Sequence, residues 1–132
     1  MKKMDPVVHF EMPYEDKDRL VAFYSETFGW NMQPLGAEMG DYVVAETTET
    51  DENMMPKTPG AIGGGFYPKA PGIPESPSVV ISIEDIDEAI KKVVNGGGTV
   101  LDDPMEITGI GMYVAITDTE GNRVGLLQPF EM

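Results

Sequence analysis

The stretch HFEMPYEDKDRLVAFYSETFGW, residues 9–30, combines a strand pattern with a helix pattern. Polar and apolar residues alternate at its start, which predicts a strand with Phe10 on one face and His9 and Glu11 on the other. An acidic helix start follows, and apolar side chains then recur at helical spacing as far as Gly29. The stretch therefore predicts a β-strand followed by an amphipathic helix.

A second stretch, SVVISIEDIDEAIKKVVNGGGT, residues 78–99, repeats the first with one constant offset that places Ser78 on His9. Two later pairs also match: GDYVVA, residues 40–45, lies on GMYVAI, residues 111–116, and Gly60-x-x-x-Gly64-x-x-x-Pro68 lies on Gly121-x-x-x-Gly125-x-x-x-Pro129. Each turn residue has its own physical reason to stand at its position, so matched glycines and prolines favour a true repeat. The pattern predicts a tandem βαβββ duplication.

At 132 residues the chain is predicted to form a single domain, residues 1–132, with modules at residues 5–68 and 77–130. The predicted class is α+β. Each module covers one sheet face with its helix, and the two open faces can curl into a mixed sheet around a central cavity for a small molecule. Alternation along the strands directs His9, Glu11, Ser78 and Ser82 towards that cavity.

The amino-acid composition of the chain limits which classes of binding partner and which kinds of site it can have. The formal net charge is −14, with 23 acidic residues against 9 Lys and Arg, which excludes the basic surface that nucleic acid and anionic lipid require. No apolar run is long enough for a membrane span, and a cytoplasmic protein is the default expectation. The chain contains no cysteine, which excludes disulfides, thiolate metal sites and a cysteine nucleophile.

The chain resembles the vicinal oxygen chelate superfamily, which includes glyoxalase I, extradiol dioxygenases and bleomycin-resistance proteins. In the first module the resemblance rests on HFEMP, residues 9–13, and on AFYSETFGW, residues 22–30. In the second it rests on DIDEA, residues 85–89, GGGTV, residues 96–100, and DTEGNRVGL, residues 118–126. The resemblance implies the glyoxalase-like fold and a homodimer.

Metal-using members of this superfamily take ligands from the first and fourth strands of each module. Carried over to this chain, those positions fall on His9, Ser78, Gly64 and Gly125, of which only His9 is a good ligand. A catalytic divalent site normally needs three protein ligands. The resemblance therefore implies the branch that binds a small organic ligand, with no cofactor and no metal expected.

A metal-dependent lyase, isomerase or dioxygenase remains the alternative, with His9 joined by a non-standard carboxylate such as Glu11 or Glu46. The pattern does not assign catalytic residues, and His9 and Glu11 are the candidates because they share a strand face and could exchange a proton with a ligand. The predicted ligand-binding residues are His9, Glu11, Tyr42, Gly64, Phe66, Ser78, Tyr113, Arg123 and Gly125.

Overall fold

The computed structural model of the protein describes residues 4–53, 55–72 and 76–130. Over these residues the chain forms nine β-strands and two α-helices, an α+β architecture. Residues 9–77 form one compact unit, and the rest of the described chain forms a second. No helix among the described residues is long and apolar enough to cross a membrane.

The first module is a four-stranded sheet with one helix. Its strands lie in the order β2-β3-β4-β1, with β1 and β4 parallel and the other pairs antiparallel. The elements are β1 Val7–Tyr14, α1 Lys17–Phe28, β2 Asn31–Pro34, β3 Val43–Glu46 and β4 Gly63–Pro68.

The second module repeats this plan in the order β5-β9-β8-β6, with β5 and β9 parallel. One extra short strand, β7, pairs with β8. The elements are β5 Ser78–Ser82, α2 Ile86–Asn95, β6 Thr99–Val100, β7 Met105–Ile107, β8 Gly111–Thr117 and β9 Arg123–Pro129.

The two helices begin in the same way. The Asp16 carboxylate accepts a hydrogen bond from the Arg19 backbone N–H at 3.0 Å, and the Asp85 carboxylate accepts one from the Glu88 N–H at 3.1 Å. These bonds satisfy backbone donors that have no partner inside a first helical turn. The acidic helix starts predicted from the sequence are therefore N-caps.

Each module has its own apolar core between its sheet and its helix. In the first, Phe10 and Met12 pack with Leu20 and Tyr24 of α1 around four buried residues, Tyr14, Val43, Ala45 and Phe66. In the second, side chains of α2 pack on a cluster formed by Ile83, Ile86, Val114, Ile116 and Leu126. Because Phe10 and Met12 face the helix, His9 and Glu11 lie on the opposite face of β1, as predicted.

Candidate functional site

The pairing of β1 with β4 decides which glycine of the GGG run shares a face with His9. The register sets His9 opposite Gly63, Phe10 opposite Gly64, and Glu11 opposite Gly65. Residues opposite one another in neighbouring strands point to the same face of a sheet. Gly63 and Gly65 therefore lie on the face of His9 and Glu11, which we call the His9 face.

The structure corrects the prediction for Gly64, which lies on the core face. A Cβ atom added to Gly64 would overlap the Phe10 ring. Residue 64 must be a glycine because the Phe10 ring of β1 lies directly against its backbone. The equivalent of Gly125 in the first module is Gly65, one residue further along.

Phe66 is also a core residue, and its predicted contact with a ligand is corrected. Its side chain is only 1% exposed. The ring centroid lies 6.0 Å from that of Phe10 and 5.1 Å from that of Tyr24. Phe66 stands opposite Met12 in the register, so alternation directs it to the helix side of the sheet.

On the His9 face, the Tyr42 side chain covers Gly65. A Cβ atom added to Gly65 would overlap the Tyr42 hydroxyl and the end of its ring. Tyr42 immediately precedes β3, and Val44 of that strand stands opposite Gly65. An aromatic ring placed over a strand glycine replaces the packing that the missing side chain would have given.

The Tyr42 hydroxyl joins His9 to Glu11. It lies 3.1 Å from Nε2 of His9 and donates a hydrogen bond to Oε2 of Glu11 at 2.9 Å. All three side chains are half-buried. Three residues that the sequence assigned to the site, and that lie up to 33 positions apart in the chain, thus form one hydrogen-bonded group.

Burial lowers the pKa of the His9 imidazole below its ordinary value of 6.5, and the negative charge of Glu11 partly opposes that shift. The imidazole is therefore neutral near pH 7. A neutral imidazole has one N–H donor and one nitrogen lone pair, so it can both give and accept a hydrogen bond.

Glu46, the other carboxylate considered as a metal ligand, belongs to a separate polar cluster. Its carboxylate accepts hydrogen bonds from Thr50 at 2.7 Å, from Gln33 at 3.3 Å and from Asn31. Within residues 4–53, 55–72 and 76–130, no three His, Cys, Asp or Glu side chains are grouped so that they could hold a metal ion. The Glu46 carboxylate thus makes hydrogen bonds with amide and hydroxyl groups of its neighbours.

The second module repeats the arrangement of a tyrosine over a glycine. Gly125 of β9 stands opposite Val80 and Ala115, and a Cβ atom added to it would lie 2.7 Å from the Tyr113 hydroxyl. Val124 and Leu126 pack in the core. Arg123 therefore shares with Gly125 the face of β9 that is turned away from this core, as predicted from alternation.

A groove of about 420 Å³ lies elsewhere in the first module, beside the start of α1. Its two basic side chains, Arg19 and Lys69, lie 3.9 and 3.1 Å from the Glu15 carboxylate. None of the residues predicted for the site lines this groove. For Ser78, Tyr113, Arg123 and Gly125, contact with a ligand stays a prediction.

Comparison with known proteins bears on the family and the fold of the chain. A family described as "Bleomycin resistance protein-like N-terminal" matches residues 7–48. A glyoxylase-like domain-containing protein of Didymella fabae is 32% identical over 117 residues, which cover 85% of this chain and 84% of that protein. CFP32 of Mycobacterium tuberculosis, whose name assigns it provisionally to the glyoxylases, is 32% identical over 114 residues. That match covers 86% of this chain and 41% of CFP32, so the chain spans less than half of this relative's length.

Among solved structures, methylmalonyl-CoA epimerase from Mycobacterium tuberculosis is similar with a TM-score of 0.68 and 12% sequence identity. The alignment covers 95% of this chain and 88% of the epimerase. At this identity the likeness bears on the fold alone, and it confirms the predicted α+β, glyoxalase-like fold. By sequence, the chain belongs to the glyoxalase/bleomycin resistance/dioxygenase superfamily, which is the vicinal oxygen chelate superfamily.

Proposed function

We propose that this protein binds a small organic ligand at the His9 face and does so without a catalytic metal. The observation that carries the proposal is the position of the Tyr42 hydroxyl, within hydrogen-bond distance of both His9 Nε2 and Glu11 Oε2. Polar groups of this kind, few and convergent, fix the orientation of a small molecule in a binding site.

Tyr42 occupies the space that a metal-binding side chain from β4 would need. The resemblance implies that metal-using relatives carry a carboxylate ligand on the fourth strand. In this chain, the fourth-strand residue on the His9 face beside Glu11 is Gly65. A carboxylate at residue 65 would overlap Tyr42, and a metal on His9 Nε2 would displace the same hydroxyl. Both changes would break the hydrogen bonds that Tyr42 makes with His9 and Glu11.

Small-molecule ligands are also named for similar proteins. The similar epimerase takes its name from methylmalonyl-CoA, a coenzyme A thioester. That name describes the epimerase, and it supports for this chain only the broad class of a small organic ligand. CFP32 is more than twice as long as the matched region, so its activity gives no closer assignment.

The test combines metal analysis with ligand-dependent thermal stability. Protein from cultures supplied with Zn, Ni, Mn and Fe is assayed for bound metal, and its melting temperature is then measured against a panel of small organic compounds in EDTA. We expect substoichiometric metal and a rise in melting temperature with at least one compound, since a ligand that binds only the folded state stabilises it. The rise should disappear in His9→Ala and persist in Glu106→Gln, an exposed control substitution in β7.

Stoichiometric metal that is lost in His9→Ala would instead establish the metal-dependent alternative. A ligand-induced rise that survives in His9→Ala would place the binding site elsewhere on the protein.

A further inference from the structure

The hydrogen bonds of Tyr42 determine where the proton of His9 lies. A tyrosine hydroxyl has a single hydrogen to donate, and an ionised carboxylate can only accept. Tyr42 donates that hydrogen to Glu11 Oε2. Its contact with His9 Nε2 at 3.1 Å therefore requires the proton to sit on Nε2, which donates to the Tyr42 oxygen.

The other ring nitrogen of His9 is left as a hydrogen-bond acceptor. With the proton on Nε2, the neutral ring carries a lone pair on Nδ1. Within the described parts of the chain, Nδ1 has no hydrogen-bond partner, and no fully buried side-chain nitrogen or oxygen lacks one. Nδ1 is therefore not fully buried. Burial lowers the pKa of His9, which keeps this lone pair unprotonated near pH 7.

The charged side chains on the strands of the first module favour an uncharged ligand group over an anion. The four strands of the first module, VVHFEMPY, NMQP, VVAE and GGGFYP, contain no Lys or Arg. The Glu11 carboxylate of β1 is the negative charge that acts on the His9 ring. An anionic group on this sheet would meet negative charge without a cation from these strands to pair with.

We propose that Tyr42 is a positioning residue that holds His9 as the Nε2–H tautomer, so that Nδ1 accepts a hydrogen bond from an uncharged hydroxyl of the ligand. The ligand class is thus a neutral alcohol, phenol or enol. This inference rests on the proposed function, because it specifies the ligand group that the same site recognises.

The first test reads the tautomer in the ligand-free protein. His9 is the only histidine, so uniform ¹⁵N labelling gives one pair of imidazole nitrogen signals that need no assignment. We expect the proton on Nε2 in the wild-type protein, with exchange against water slowed by its bond to Tyr42. Tyr42→Phe keeps the ring over Gly65 and removes the acceptor, so the Nε2 proton should exchange about tenfold faster.

Two further variants test whether the Tyr42 hydroxyl determines the His9 tautomer. Tyr113→Phe removes the corresponding hydroxyl of the second module and should leave the His9 signals unchanged. Glu11→Gln replaces an obligate acceptor with an amide that can also donate, so Tyr42 becomes free to donate to His9 and a fraction of the Nδ1–H tautomer should appear. A wild-type Nδ1–H tautomer, or exchange at Nε2 that Tyr42→Phe does not alter, would overturn the assignment.

The second test reads the ligand class with three probes of similar size: phenol, anisole and benzoate. Phenol presents a hydroxyl donor, anisole replaces that hydrogen with a methyl group, and benzoate is an anion without a donor. We expect phenol to shift the Nδ1 signal in a saturable manner and the other two to leave it unchanged. An equal response to phenol and anisole, a response to benzoate, or no response to phenol would overturn the hydroxyl class.

The two tests separate this inference from the proposed function. The tautomer is measured without ligand, so a wrong tautomer refutes the role of Tyr42 even if organic compounds raise the melting temperature. Conversely, a stoichiometric metal on His9 refutes the proposed function and would appear in the metal analysis.

Discussion

Gly65→Ala should destabilise the protein through Tyr42. The substitution adds one methyl group on the His9 face, at a position where the Tyr42 hydroxyl and ring end already lie. The Gly65 backbone sits in β4 between β1 and β3 and cannot move without disturbing both pairings. The Tyr42 side chain must therefore rotate away, and its hydrogen bonds to His9 and Glu11 break.

The size of the effect follows from those two bonds. A neutral hydrogen bond contributes about 0.5–1.5 kcal/mol to stability, and one to a charged group about 1.5–3 kcal/mol. Because the residues are half-buried, the lower half of each range applies, which gives a loss of about 2–3 kcal/mol. Alanine also lowers the conformational entropy of the unfolded chain, which offsets the loss of stability by about 0.5 kcal/mol. The net expectation is a loss of about 2 kcal/mol, or roughly 7 °C in melting temperature for a domain of this size.

Urea unfolding followed by circular dichroism measures this loss, and Gly63→Ala is the matched control. Gly63 lies on the same face and strand, but a Cβ atom there would meet only the Ala45 carbonyl oxygen at 3.3 Å. We expect that variant to remain within about 1 kcal/mol of the wild type, since a shift of a few tenths of an ångström relieves the contact.

A double-mutant cycle identifies Tyr42 as the cause. In a Tyr42→Ala background the space over Gly65 is empty, so adding Gly65→Ala should cost about 0.5 kcal/mol or less. The coupling energy between the two positions should then be close to 2 kcal/mol. If Gly65→Ala is as well tolerated as Gly63→Ala, or costs the same with and without Tyr42, the proposed packing of Tyr42 over Gly65 is refuted.

Three further predictions concern the core, the helix caps and His9. Phe66→Ala should cost about 3–5 kcal/mol in urea unfolding, because it empties a fully buried aromatic position; a loss below about 1 kcal/mol would contradict the core assignment. Asp16→Ala and Asp85→Ala should each cost about 1 kcal/mol while the Asn variants retain stability, and equal losses with Asn would argue against capping. Since burial lowers the folded-state pKa of His9 below 6.5, the unfolded state binds the proton more readily. The stability that neutral His9 contributes should be complete above pH 6.5 and should decrease as the pH falls towards the lowered pKa. His9→Gln should reduce this pH dependence of the unfolding free energy. An unchanged pH profile in that variant would contradict the prediction.

The order of elements followed closely from local sequence. The acidic starts at Asp16 and Asp85 and the glycine at residue 29 mark helix ends by their own side-chain and backbone chemistry, independently of the rest of the fold. Alternation along β1 also predicted correctly that His9 and Glu11 lie on one face of the strand and Phe10 on the other. The three-residue strand β7 was not predicted, because Met105–Ile107 is too short to show a period of two. The predicted module boundaries, homodimer and cytoplasmic location stay predictions.

The sequence alone determined the duplicated plan and the superfamily, since matched caps, turns and apolar periods are local signals. It did not determine which glycine of the GGG run lies beside Glu11, because three glycines have no side chains whose alternation could mark the two faces. Only the pairing of β4 with β1 and β3 fixed that register and moved the assignment from Gly64 to Gly65. The same pairing brought Tyr42 over Gly65 and between His9 and Glu11, a contact that depends on residues distant in the chain.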